Sequence, residues 1–251
     1  MNEQYYSPQK FSILPVVVKN LLIINALFFL ATIAFNNFLG IDLRNYLGLH
    51  YFQSDLFYPH QLLTYMFMHG DIGHIVFNMF ALWMFGSTIE NYWGSKRFLI
   101  YYLLTGIGAG LTQEVVCAIR INEVISQMTP ETIELIKEQG LSLLQEQKNY
   151  TNSIMRNYNL LLNSVTVGAS GSVYGLLLAF GMMFPNSRIY VYFLFPIKAK
   201  WFVVLFGALE LYLGFSGTND GVAHFAHLGG MIFGLILILM WKKRNRNYYQ
   251  Y

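Results

Sequence analysis

Charge is what this sequence has least of. Asp, Glu, Lys and Arg make up 12% of its 251 residues, against 55% hydrophobic. A soluble domain carries about twice that charged fraction because its surface must be solvated. A soluble globular protein, a nucleic-acid binder and a disordered chain are therefore excluded as readings. Cysteine is nearly absent too: Cys117 stands alone, so there is no internal disulfide framework. No charged leader, short apolar core and cleavage site precede the first apolar stretch, which reads as a retained helix and not a signal peptide. What the chain has in quantity is long apolar runs, with a mean hydropathy of +0.41. The composition is that of a multi-pass membrane protein.

A bilayer core needs about 20 mostly apolar residues per helix. Six stretches qualify, at roughly Leu21–Leu39, His74–Trp93, Phe98–Cys117, Ser170–Pro185, Trp201–Gly217 and Phe225–Trp241, the fourth being short. Lys and Arg in the connections give the orientation. With six crossings, Lys10, Lys19, Lys96, Arg97, Arg188, Lys198, Lys200, Lys242, Lys243, Arg244 and Arg246 share one side, leaving Arg44, Arg120, Lys137, Lys148 and Arg156 on the other. Both termini are expected to be cytoplasmic, in a plasma membrane or bacterial inner membrane. Two connections on the outer side are long. Gly40–Met68 is rich in Tyr, Phe and Leu, which suits a segment lying in the membrane interface. Ala118–Val167 is a polar, extramembrane excursion. Within it Thr129-Pro130-Glu131 reads as an N-cap, first-turn Pro and first-turn acid, Gly140 as a helix stop, and Ile133 with Ile136 as a small sticky face.

Strongly polar groups within spans cost several kcal/mol unless they face protein or water, so they suggest function. His74, Asn78, Ser170 and His227 stand out. Counted to Trp93, Pro185 and Lys242, Asn78, Ser170 and His227 each stand 15 residues before the inner end of their helix. At 1.5 Å per residue, that places all three roughly 22 Å above the inner boundary. Nothing obliges three separate helices to carry polar groups at one level, so a single site is implied. A lone Ser or Asn in a membrane helix is more often interhelical glue, and a lone buried His is more often structural; the coincidence of depth outweighs both.

His74 and Asn78 are four apart and share a helix face. Glycines flank Ser170 in Gly168-Ala169-Ser170-Gly171 and leave its hydroxyl open to close approach. Gly171 with Gly175, and Gly230 with Gly234, form small-xxx-small pairs that let helices pack backbone to backbone. That packing would bring Ser170 and His227 together, and a serine becomes a nucleophile when a neutral histidine takes its proton. Attack on an amide then needs donors for the oxyanion, which His74, Asn78 and the Ser170 amide can supply. Glu210 lies on the fifth span with its facing undetermined, so a Ser–His dyad is the simpler reading. A metal- or haem-binding protein using His69, His74, His224 and His227 is the alternative; Asp71, the nearby acid, does not complete a recognisable ligand set.

The runs His69-Gly70-Asp71-Ile72-Gly73-His74-Ile75-Val76-Phe77-Asn78, Gly168-Ala169-Ser170-Gly171 and Ala226-His227-Leu228-Gly229-Gly230 resemble the rhomboid intramembrane serine proteases, over about Phe11–Trp241. The resemblance implies an all-α, polytopic, six-transmembrane-helix bundle: one rhomboid-like membrane domain over residues 1–251, its core at about 11–241, with an extramembrane insertion at about 118–167. It implies Ser170 as nucleophile, His227 as general base, and His74 and Asn78 as the oxyanion hole. It also implies Tyr174 supporting the histidine ring, His69 as a structural loop histidine and Glu90 as a structural acid. The substrates it implies are transmembrane proteins in the lipid bilayer, with no cofactor, no metal and no nucleic acid involved. Gly214–Gly221 looks like the family's mobile cap. One departure is that the Trp-Arg pair many members carry before the second span reads His60-Gln61 here. An inactive, client-binding rhomboid-like protein is a further alternative, although such proteins usually lack the Ser or the His.

Overall fold

The computed structural model describes residues 11–191, 194–216 and 222–248. Five of its helices are long and apolar enough to cross a bilayer: α1 (Val16–Leu39), α2 (Ile72–Trp93), α3 (Ser95–Ile125), and, after three shorter helices, α7 (Ala199–Ser216) and α8 (His224–Tyr248, its apolar span His224–Lys243). Between α3 and α7 lie α4 (Pro130–Gln145), α5 (Ser153–Asn163) and the apolar but shorter α6 (Ser170–Met183). The fold is the all-α polytopic bundle expected from the sequence. The fourth expected span, however, is a helix of 14 residues, about 21 Å long at 1.5 Å per residue.

The shortness of α6 has a structural cause. The chain reaches Ser170 through non-helical backbone that is pinned inside the bundle. Leu49 and Thr166 exchange backbone hydrogen bonds at 2.9 and 2.8 Å, and Gly168 donates to the Tyr65 carbonyl at 2.9 Å. Irregular backbone at membrane depth is tolerated where protein buries it or a watery cavity takes it up. These bonds meet that condition. α6 and α8 then cross with their glycines in contact: a Cβ on Gly230 would strike the Gly171 carbonyl, and the space beside Gly234 is filled by the Tyr101 hydroxyl and, at 3.5 Å, the Gly175 Cα. Tyr101 also donates to the Gly175 carbonyl at 2.8 Å.

Apolar side chains on the outer surface, such as Leu27, Leu30, Phe38, Phe77 and Phe215, are largely uncovered by protein. On a surface of this extent they suit lipid, not water. Where α2 gives way to α3, Arg97 lies between Trp93 and Trp241, 5.1 and 4.2 Å from their ring centres. The connection between α6 and α7 carries a hairpin absent from the sequence reading, β1 (Arg188–Val191) paired antiparallel with β2 (Phe195–Lys198).

Glu90, which the family resemblance implies is a structural acid, has a definite set of partners. Pro15 precedes α1 and offers no side-chain cap. The buried Glu90 carboxylate instead accepts from the Val17 and Val18 amides at 3.0 and 2.8 Å, and from the Ser95 hydroxyl at 2.6 Å. One acid thus satisfies two of the open amides of α1 and ties α1 to the junction of α2 and α3.

Gln61 replaces the expected basic residue with a neutral staple in the outer loop. Its carboxamide accepts from the His50 amide and donates to the carbonyls of Tyr46 and Leu56. In the excursion, Thr129 caps α4 as expected. Gly140 does not stop that helix, which runs on to Gln145. Its missing side chain instead admits Asn159 of α5, whose amide donates to the Gly140 carbonyl at 3.0 Å. Ile136 is fully buried with Ile121, Val124, Tyr158 and Leu162 in a second small core, against which Ile133 packs. The first residues of the excursion are helical, because α3 continues unbroken from Ser95 to Ile125.

Glu90→Ala should lower the unfolding free energy by about 2 kcal/mol, the scale of losing hydrogen bonds to a charged acceptor. Thermal unfolding in detergent will register this, and an unchanged melting temperature would contradict the capping role.

Candidate active site

Ser170 opens α6 and His227 lies in the first turn of α8, so both sit where irregular backbone meets helix. The glycine crossing brings them together, with Ser170 Oγ 2.8 Å from His227 Nε2. Tyr174, one turn after Ser170, lies flat on the imidazole with ring centres 4.2 Å apart and planes 7° apart. An imidazole nitrogen at this distance from a hydroxyl can take its proton.

His74 approaches from the other side. Gly168 separates it from Ser170: a Cβ on Gly168 would lie 2.7 Å from His74 Nε2 and 3.6 Å from Ser170 Oγ. With φ at +127°, Gly168 also has a backbone conformation that side-chain-bearing residues rarely adopt. The sequence selected this glycine for access to the hydroxyl; the structure adds that nothing larger fits. The Gly70 amide points at His74 Nδ1 at 3.3 Å. An amide can only donate, so Nδ1 accepts, and in the neutral ring the proton sits on Nε2, the nitrogen beside Gly168. His74 thus offers a donor towards the space next to Ser170. Its helix is anchored by Asp71, which accepts from the His74 amide at 2.9 Å. Asn78 is buried one turn further along and gives one amide proton to the His74 carbonyl at 3.0 Å. His69 packs edge-on against His74 with ring centres 5.0 Å apart. Gly171 is where α6 meets α3 and α8, its missing Cβ facing Ala109 and the Ala226 carbonyl.

Two residues at the site were not assigned to it from the sequence. Glu210 of α7, whose facing was undetermined, points inward. Its Oε2 lies 2.7 Å from His224 Nδ1 and 3.0 Å from His227 Nδ1, and its Oε1 accepts from the Tyr174 hydroxyl. His224 joins through this carboxylate. The signal available was an ionisable residue within a span, together with an i, i+3 histidine pair at the start of another. α7 is apolar on every side, so periodicity could not aim Glu210. Glu210, His224 and His227 offer ligand atoms within 4.8 Å of one another and are the group able to hold a metal ion among the described residues. The four-histidine set weighed from sequence does not come together among the described residues, where the group found joins His224 and His227 with Glu210. The Gly214–Gly221 segment falls mostly outside the described residues.

The rhomboid domain family model matches residues 57–119 and 141–244, and the chain belongs to the rhomboid family. It is 27% identical over 221 residues to Rhomboid-like protein 11, chloroplastic, of Arabidopsis thaliana, covering 81% of this chain and 63% of that one. It is 26% identical over 171 residues to RHOMBOID-like protein 12, mitochondrial, of the same plant, covering 68% and 43%. A 47-residue stretch is 47% identical to Rhomboid protease GluP of Bacillus subtilis, covering 19% and 9%. The chain spans less than two thirds of the length of each of these relatives.

Burial holds His69 at a pKa of about 4, well below the ordinary 6.5, and its ring is 1% exposed. The unfolded chain takes up a proton near pH 6.5 that the folded chain refuses until about pH 4. Stability is therefore unaffected by this group above 6.5 and falls as pH drops through that window, by up to about 3 kcal/mol. Wild type should lose more melting temperature than His69→Asn between about pH 7.5 and pH 4.5; equal losses would show that His69 does not carry the effect.

Proposed function

We propose that this chain is an intramembrane serine endopeptidase that hydrolyses peptide bonds in the transmembrane segments of other membrane proteins, near the non-cytoplasmic interface. The observation that carries the reading is the 2.8 Å contact between Ser170 Oγ and His227 Nε2, two residues from different helices at one depth in the outer third of the bundle. A relative named a rhomboid protease supports the reaction class.

In this reading Ser170 Oγ attacks the scissile carbonyl carbon while His227 Nε2 takes the hydroxyl proton. The carbonyl oxygen becomes an oxyanion facing the Nε2–H of His74, the second amide proton of Asn78 and the Ser170 backbone N–H. Collapse breaks the C–N bond, and the proton on His227 passes to the departing amine. A water then repeats the sequence against the acyl-serine, restoring Ser170 and releasing the new carboxylate. No metal or nucleotide is needed. An intact substrate helix buries its carbonyls in its own hydrogen bonds, so it must unwind locally before attack. The family resemblance adds a preference for a small residue before the cut and helix-breaking residues after it.

The membrane domain is taken to comprise about residues 11–241 with α4 and α5 as an extramembrane insertion, and six crossings place both termini on the Lys- and Arg-rich, cytoplasmic side. The partners are transmembrane substrates and the bilayer.

A serine-directed fluorophosphonate should label wild type in detergent and leave Ser170→Ala and His227→Ala unlabelled, with or without a metal chelator. Cleavage of a model transmembrane substrate should fall by at least about 10³-fold in both variants. Absence of labelling and cleavage in folded wild type would overturn the protease reading in favour of a client-binding, non-catalytic protein.

A further inference from the structure

The proposed reaction assigns no task to Glu210, although its position is costly. A carboxylate withdrawn from water inside a membrane bundle costs several kcal/mol unless donors surround it, and Glu210 is 5% exposed. Its Oε1 accepts from Tyr174, and its Oε2 faces both His224 Nδ1 at 2.7 Å and His227 Nδ1 at 3.0 Å. The first two are aligned hydrogen bonds. The third is longer, although within hydrogen-bond distance, and lies off the N–H direction, so that His227 Nδ1 makes no formal bond. Resting sites often hold such contacts slack until substrate binds.

The tautomer of His227 gives this contact its meaning. A neutral imidazole carries one proton. If that proton is on Nε2, the ring donates to Ser170 Oγ and cannot accept from it. Only the Nδ1–H form presents a lone pair to the serine. A carboxylate accepts and never donates, so one placed at Nδ1 favours the productive form; an apolar neighbour would leave the choice open. When His227 then takes the serine proton, it becomes a cation with its Nδ1–H against an anion, in surroundings where water screens little.

We infer that Glu210 is a positioning residue for the proposed proteolysis, holding His227 in its Nδ1–H tautomer and balancing the charge the ring acquires. Tyr174 and His224 hold the carboxylate, and Tyr174 also stacks on the ring, so one side chain fixes both the acid and the base. The proton taken from Ser170 stays on His227 and leaves with the amine; none passes to Glu210. The inference rests on the serine protease reading and turns the expected dyad into a Ser–His–Glu arrangement.

The test measures kcat and KM for a transmembrane substrate with wild type and Glu210→Gln, alongside melting temperature and fluorophosphonate labelling rate. In Glu210→Gln, kcat and labelling rate should fall together by roughly 10²- to 10³-fold, with KM within about threefold. Nitrogen-15 shifts of histidine-labelled wild type, with His227 assigned by comparison with His227→Ala, should show Nδ1 as the protonated nitrogen and Nε2, with its free lone pair, as the strongly deshielded resonance. That resonance should be lost in Glu210→Gln. A folded Glu210→Gln with kcat within about threefold of wild type would overturn the inference, as would a wild-type His227 protonated on Nε2. Should Glu210→Gln fail to fold, the wild-type nitrogen shifts decide alone. Failure of the protease reading looks different: wild type itself neither labels nor cleaves.

Discussion

Glycines at positions 171, 175, 230 and 234 let α6 and α8 approach until Gly230 rests on the Gly171 carbonyl, and the geometry of the site follows from that approach. Ser170 precedes the first glycine of one pair and His227 stands three residues before the first of the other. Once the two backbones touch, their side chains have little freedom to be anywhere but within reach of each other. In lipid, helices gain nothing from hiding apolar surface from a solvent as apolar as they are, so close backbone packing and interhelical hydrogen bonds must supply the association. Tyr101 contributes both kinds of support, filling space beside Gly234 and bonding the Gly175 carbonyl. The contact that holds the bundle together is therefore also the one that sets the serine–histidine distance.

A second constraint is the cost of irregular backbone inside a membrane. The segment leading to Ser170 is not helical, yet it must enter the bundle for α6 to begin there with its first amides open. Loop residues provide for this: Leu49 pairs with Thr166 and Tyr65 receives the Gly168 amide. Gln61 in turn holds the loop that carries Leu49 through three hydrogen bonds. The long Gly40–Met68 connection is thus the scaffold that allows the short α6 to start at Ser170. His74 is brought to the opposite side of Gly168 by the same segment's continuation into α2.

The sequence made the membrane class, the apolar helices and the meeting of Ser170 with His227 legible, because each depends on local features: run length, spacing within a motif and depth counted along one helix. It misplaced Gly140 as a helix stop, since a glycine needed for close approach and a glycine needed for a turn are the same letter. The extra length of α3, to Ile125, was hidden because polar residues on an outer helical turn look like loop residues until something packs against them. Glu210 was visible as an intramembrane acid but could not be aimed. Facing on an evenly apolar helix is set by its neighbours, and here those are Tyr174 and two histidines from elsewhere in the chain.

The grouping of Glu210, His224 and His227 admits two chemistries, and they exclude each other. A metal ion bound there would need the Nδ1 lone pairs of both histidines. With His227 metallated on Nδ1, its remaining proton would lie on Nε2, pointing at Ser170 Oγ 2.8 Å away. The ring would then be a donor to the serine and unable to act as its base. A proton on Nδ1 against Glu210 has the opposite effect and leaves Nε2 open. The Tyr174 hydroxyl already committed to Glu210 Oε1, and the ring of the same tyrosine stacked on His227, fit a carboxylate held to orient an imidazole. A metal site would require neither the stack nor the 2.8 Å approach of the serine. The arrangement around Glu210 is thus better explained by control of where one proton sits on His227 than by coordination.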